Sequence, residues 1–166
     1  VGGVGNADPT SGATGASVFG VNLSGNYSTT IGGPYYLTTT AINLTGASQT
    51  KLQFKRWLNT DYQNYAYATV DVSNNGTTWT NVYDNGTNSV NDSSWQTVSY
   101  DISAVADNKP TVYIRWGYQI GSGGVFAESG WNIDDVLITG TGNALPPVAT
   151  AQSVNANFGT AKSITL

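Results

Sequence analysis

The chain contains no cysteine, methionine or histidine. Their absence excludes disulfide bonds, thiolate nucleophiles, Cys/His zinc sites and histidine general bases. Charge is scarce as well, since six Lys and Arg against ten Asp and Glu give a net charge of −4 over 166 residues. So little positive charge is a poor match for a phosphate backbone, and we expect no nucleic-acid partner.

Long apolar runs are also missing. No run approaches the roughly 20 residues that span a bilayer, so we expect no membrane span. No signal peptide opens the sequence, which fits a mature fragment of a longer secreted or cell-surface protein. The chain is long enough for one sizeable core, and ten Tyr, five Trp and four Phe supply apolar area for it.

The pattern of β-branched and aromatic residues predicts strands and almost no helix. Asn74-Asn75-Gly76 is a strong hairpin signal, because Asn and Gly accept positive φ. One helical turn is expected at residues 103–107. Eight short strands favour an all-β fold, a two-sheet antiparallel jelly-roll sandwich. The predicted strands span residues 17–23, 35–44, 51–58, 65–73, 77–83, 95–102, 111–118 and 131–139.

The composition changes after Gly140. Residues 141–147 read as a linker that ends in Pro146-Pro147. Residues 148–166, with the sequence VATAQSVNANFGTAKSITL, resemble the opening of the Ig-like or cadherin-like repeats of large bacterial surface proteins. We therefore expect one module over residues 1–140, a linker over 141–147 and the truncated start of a repeat over 148–166.

Six segments carry a resemblance to a known family, among them NADPTSGATG at 6–15, YYLTTTAINLTG at 35–46 and SGWNIDDVLI at 129–138. They are similar to MAM-like jelly-roll modules of secreted bacterial proteins, including those that accompany immune-inhibitor-A-like peptidases. The resemblance implies an accessory module, comparable to a carbohydrate-binding module, rather than a catalytic domain. It also implies a structural calcium ion between the first segment and the last strand.

Two adjacent acids, Asp134 and Asp135, lie inside the apolar last strand. Calcium takes six to eight oxygen ligands, and the resemblance implies that Asp8 and Thr10 meet one of the two acids around Ca²⁺. The alternative is that one aspartate accepts backbone N–H groups while the other is solvated. Both interpretations stay open at this point.

The same strand predicts a β-bulge. Trp131 and Ile133 share one parity, whereas Val136 and Ile138 share the other, and both sets cannot face one core without an extra residue. The expected core residues are Leu52, Phe54, Val70, Val72, Ile114, Trp116, Ile133 and Val136.

Alternation along three strands leaves aromatic and polar residues opposite the core. If these strands share one sheet, its outer face suits a sugar, since rings stack on C–H faces and Arg or Gln bind hydroxyls. The alternative is an ordinary solvated or domain-packing face. The residues expected on this face are Gln53, Lys55, Trp57, Tyr65, Tyr67, Tyr113 and Arg115, while Trp79, Trp95 and Trp131 are expected in the core or at edges.

Catalytic groups are few. Glycoside hydrolysis needs two facing carboxyl groups, and only Glu128 with Asp61 remains as a candidate pair. We therefore expect a non-catalytic accessory module of a secreted or surface bacterial protein. Its expected partners are a polysaccharide or cell-surface glycan and the other domains of the same polypeptide. The alternative is a structural or adhesive spacer without a glycan ligand.

Overall fold

The computed structural model describes residues 5–142, which form nine strands and one four-residue helix. Every strand pairing in this part of the chain is antiparallel. The elements are β1 (Phe19–Gly20), β2 (Gly32–Thr38), β3 (Ala47–Thr60), β4 (Ala66–Ser73), β5 (Thr80–Asp84), β6 (Val90–Asn91), β7 (Gln96–Asp101), α1 (Ser103–Ala106), β8 (Tyr113–Ile120) and β9 (Gly130–Gly142).

The strands divide into two sheets. Sheet 1 has the order β1-β9-β3-β6, and β7 also pairs with β3. Sheet 2 has the order β2-β8-β4-β5. The predicted two-sheet antiparallel sandwich is therefore confirmed, as is the β4–β5 hairpin, in which Gly76 has a φ of 75°.

The core fills the space between the sheets. Leu52 and Phe54 of β3 are 0% and 1% exposed, and the Phe54 ring meets Trp116 of β8 edge-on at 5.5 Å. Apolar side chains at alternate positions of β4 and β8 complete the core between the two sheets. Seven of the eight expected core residues are buried: Leu52, Phe54, Val70, Val72, Ile114, Trp116 and Ile133.

The eighth, Val136, is 45% exposed, so that prediction is wrong. The predicted bulge explains why. Gln53 pairs with Leu137 but Lys55 pairs with Asp134, which leaves Asp135 and Val136 together opposite Phe54. The extra residue turns Val136 outward.

The last strand extends beyond the expected module boundary. β9 includes Thr141 and Gly142, which the sequence placed in the linker. The rest of the predicted linker and the predicted repeat at 148–166 lie outside the described residues. Within residues 5–142, no helix has the length and apolar character needed to cross a membrane.

Because of the bulge, truncating Phe54 of β3 and truncating Val136 of β9 should lower the free energy of unfolding by different amounts. Phe54→Ala removes a buried ring and should lower the free energy of unfolding by about 3–5 kcal/mol. Val136→Ala should change it by less than about 0.5 kcal/mol, because the side chain is half exposed. Urea denaturation of both variants measures this, and comparable losses would contradict the outward position of Val136.

Candidate functional site

The expected aromatic face is divided between the two sheets. β3 pairs with β9 and β7 in sheet 1, whereas β4 pairs with β8 and β5 in sheet 2. The single outer face predicted from parity therefore does not exist, because its condition that the three strands share a sheet is not met. Gln53, Lys55 and Trp57 belong to sheet 1, Tyr67, Tyr113 and Arg115 belong to sheet 2, and Tyr65 directly precedes β4.

Part of the outer face of sheet 1 is covered by residues 5–16, here called the N-terminal strap. The indole N–H of Trp57 donates to the carbonyl of Ala7 at 3.1 Å, and that of Trp95 donates to the carbonyl of Ser11 at 3.3 Å. The two indoles meet edge-on with centroids 5.9 Å apart. Trp57 therefore anchors the strap, and its N–H is not free for a ligand.

The strap also engages the acid pair of β9. Asp134 Oδ2 accepts the N–H groups of Ala13 at 2.8 Å and Thr14 at 3.3 Å, and Asp134 Oδ1 accepts the N–H of Asp135. Asp135 Oδ1 accepts the Thr14 hydroxyl at 2.5 Å. These bonds agree with the hydrogen-bonding alternative, and calcium at Asp134 or Asp135 stays a prediction.

Asp8 lies elsewhere along the strap. Its carboxylate accepts the side-chain N–H of Asn132 at 2.9 Å and the N–H of Gly25 at 3.1 Å, while Thr10 is exposed. Asn132 is 1% exposed, and its Oδ1 has no partner among the described residues. Residues 5–142 contain no group of three or more acids suited to a metal. Asp8 thus contacts Asn132 through the amide N–H, and the oxygen of the same amide, buried and without a partner among the described residues, is the second group there that could bind a cation.

The outer face of sheet 2 carries a charged aromatic cluster. Arg115 Nε forms an ion pair with Asp71 Oδ2 at 2.9 Å from the directly opposite position on β4. The guanidinium carbon lies 3.9 Å from the ring centroid of Tyr36 and 4.1 Å from that of Trp79. Two rings and one carboxylate thus fix the guanidinium group in place. We call these four residues the Arg115 cluster.

Glycines allow aromatic rings to lie against the backbone of this sheet. A Cβ at Gly117, which faces Tyr36 across β2 and β8, would approach the Tyr36 ring to 2.8 Å. A Cβ at Gly121 would approach the Tyr67 ring to 2.5 Å. Sequence reasoning missed Tyr36 and Trp79 as members of this face. The available signal was Gly117 inside a strand, since glycine there often marks a close approach.

Asp61 and Glu128 form a second acid pair, and both are buried. They are 1% and 3% exposed. Asp61 accepts the N–H groups of Tyr62 at 2.9 Å and Phe126 at 3.1 Å, and Glu128 accepts the N–H of Gly5. Carboxyl groups enclosed in this way are inaccessible to a sugar chain. They do not form the open two-carboxyl cleft that glycoside hydrolysis requires.

Comparison with known proteins does not assign the chain to a family. No protein-family model and no curated protein matches the chain. A solved structure described as "CBM4 structure and function" is similar over 64% of this chain and 72% of that chain, with 20% sequence identity and a TM-score of 0.33. A similarity of this extent does not define a family.

The buried acid pair predicts a pH effect on stability. Burial raises the pKa of Glu128, and the charge of Asp61 adds to the shift, although the Gly5 N–H opposes it. Because the folded pKa lies above the unfolded one, the stabilising contribution is present at low pH and is lost as pH rises through the folded pKa.

Glu128→Gln is uncharged at every pH, like the protonated acid, so the variant should not lose stability as the pH rises through the folded pKa of Glu128. Its melting temperature should exceed that of the wild type at pH 7, and the two should converge near pH 4. Thermal unfolding followed by circular dichroism across this range measures the difference. A variant that is less stable than the wild type at neutral pH would show that the charged carboxylate is the stabilising form.

Proposed function

We propose that this module binds a polysaccharide or cell-surface glycan through the outer face of sheet 2. The observation that carries the proposal is the Arg115 cluster, in which Arg115 is held between Tyr36 and Trp79. Tyr67 and Tyr113, both half-buried, lie on the same face. Aromatic rings that are fixed in position offer apolar surface to the C–H faces of sugars at low entropic cost.

The polar groups of the cluster suit hydroxyl recognition. The ion pair with Asp71 engages Nε of Arg115, so the two terminal nitrogens remain as donors among the described residues. A guanidinium group presents these donors in a rigid fork. Stacking of the aromatic rings on the sugar would then supply affinity, and the terminal N–H groups of Arg115 would orient the sugar.

The proposed role is non-catalytic. Asp134 and Asp135 accept hydrogen bonds from the strap, and Asp61 and Glu128 are buried, so neither pair presents two free carboxylates that face each other. The resemblance of the sequence to MAM-like accessory modules supports a setting in a secreted or cell-surface bacterial protein. In that setting the other domains of the same polypeptide are its covalent partners.

Glycan binding should depend on the rings of the cluster. Trp79→Ala and Tyr36→Ala should each weaken binding about tenfold, because a central interface residue contributes more than about 1 kcal/mol. Phe126→Ala is the matched control, since Phe126 is 42% exposed but does not belong to sheet 2. Isothermal titration against a glycan panel measures these affinities.

The competing role is a structural or adhesive spacer. That role predicts that the folded wild type binds no member of the panel. Equal affinities of Trp79→Ala and the wild type for a bound glycan would instead contradict the proposed face, since the ligand would then contact another surface.

We also propose that calcium binds where Asp8 of the strap meets Asn132 of β9. The supporting observation is the buried, unpartnered Oδ1 of Asn132 beside a carboxylate that has no cationic partner among residues 5–142. A bound cation there would attach the strap to the last strand. It would stabilise only the folded state.

The calcium proposal predicts a ligand-dependent melting temperature. Calcium at a hundredfold excess over Kd should add about 2.7 kcal/mol to wild-type stability relative to EDTA. Asp8→Asn should lose this response. Asp84→Asn is the control and should keep it, because Asp84 is exposed on β5 of sheet 2 and does not contact the strap. An identical wild-type melting temperature in calcium and in EDTA would contradict the proposal.

A further inference from the structure

The strands of sheet 2 carry more negative than positive charge. Arg115 is the only Lys or Arg on β2, β4, β5 and β8. The same strands carry two carboxylates, Asp71 on β4 and Asp84 on β5. Asp84 lies directly opposite Thr69, which has the same parity as Asp71. Both carboxylates therefore belong to the outer face, together with Arg115.

Asp71 compensates the charge of Arg115 within the cluster. Its Oδ2 accepts the Nε–H of Arg115 at 2.9 Å, and its Oδ1 accepts the side-chain N–H of Asn81 at 2.9 Å. The side chains of Arg115 and Asp71 are 20% and 11% exposed, so solvent ions screen this pair less than a fully exposed one. Arg115 therefore presents N–H donors to a ligand without presenting an unpaired positive charge.

This charge balance treats neutral and acidic glycans differently. A hydroxyl group of a neutral sugar can accept a hydrogen bond from the terminal nitrogens of Arg115 and leaves the charge of the cluster unchanged. A uronate in the same place would add a second carboxylate to a guanidinium group that Asp71 already neutralises. Like charges that meet at a binding surface cost free energy and exclude the partner that carries them.

We propose that Asp71 restricts the outer face of sheet 2 to uncharged polysaccharides, an inference that rests on the proposed function. The ligand class is a neutral polysaccharide, and Asp71 is the residue that selects against polymers containing uronic acids. The rings of Tyr36 and Trp79 do not make this distinction, because they stack on C–H faces that a uronic acid shares with the corresponding neutral sugar.

The test compares each acidic polysaccharide with its own neutral form. Polygalacturonate, glucuronoxylan and alginate, each alongside a carboxyl-reduced sample in which every uronate has become a neutral sugar, are titrated at low salt against the wild type and three variants. Asp71→Asn removes the selecting charge, and Trp79→Ala reports on the glycan face itself. Asp84→Asn is the matched control, because Asp84 is exposed on the same face and forms no ion pair with Arg115. Circular dichroism checks that each variant folds.

The wild type should bind the reduced form of at least one polymer about tenfold more tightly than its acidic form. Asp71→Asn should bring the two affinities within about threefold of each other by strengthening binding of the acidic form. Asp84→Asn should keep the preference, and Trp79→Ala should weaken binding of the reduced form. In the wild type the preference should also shrink in about 1 M salt, where charges are screened within about 3 Å, a result that needs no variant to fold.

Wild-type affinity for an acidic form that equals or exceeds the affinity for its reduced form would overturn the inference and leave the proposed function standing. A preference that Asp71→Asn retains in full, or that Asp84→Asn abolishes to the same extent, would also overturn it, since the selection would then not come from Asp71. Absence of wild-type binding to both forms of all three polymers and to the glycan panel would count against the glycan function and the inference together.

Discussion

The long antiparallel ladder between β3 and β9, interrupted by the bulge at Asp135, is the constraint on which the rest of the module depends. The bulge lets Ile133 face the core while Ile138 still packs against it, although the two positions have opposite parity. It also places Asp134 and Asp135 where the N-terminal strap can donate to them. In a chain without disulfides, these bonds connect the beginning of the module to its last strand.

The outer faces of the two sheets differ, because the N-terminal strap covers part of the outer face of sheet 1. On sheet 1 it uses the indole N–H groups of Trp57 and Trp95, and both acids of β9 accept hydrogen bonds from it. On sheet 2 one carboxylate and two rings fix Arg115, and its terminal nitrogens have no hydrogen-bond partner among residues 5–142. One outer face is thus partly covered by the strap, and the other carries the Arg115 cluster to which the proposed function assigns the ligand.

The sequence predicted the features that depend on local pattern. Parity along each strand identified the buried positions of β3, β4 and β8, and the clash of parities near Asp134 predicted the bulge. Parity also places Arg56 on the core side of β3, and in the structure its guanidinium group forms an ion pair with Asp92 at 2.9 Å.

The features that the sequence did not predict are those that depend on which strands become neighbours in a sheet. Parity assigns Trp57 and Tyr67 to outward positions but does not state which sheet each strand joins, so residues of two sheets were combined into one face. Trp79 was expected in the core or at an edge, and it directly precedes β5, the edge strand of sheet 2; its contact with Arg115 could not be read from the sequence. Tyr36 was overlooked because the sequence of β2, GGPYYLT, does not alternate between apolar and polar residues.

The proposed function requires that a glycan contacts the outer face of sheet 2 and not the strap-covered face of sheet 1. The chain has five tryptophans, so five indole N–H signals in a nitrogen–proton correlation spectrum report on this directly. On titration with a bound oligosaccharide, the account predicts that the Trp79 signal moves while those of Trp57 and Trp95 stay in place. Movement of the Trp57 and Trp95 signals with an unchanged Trp79 would contradict it.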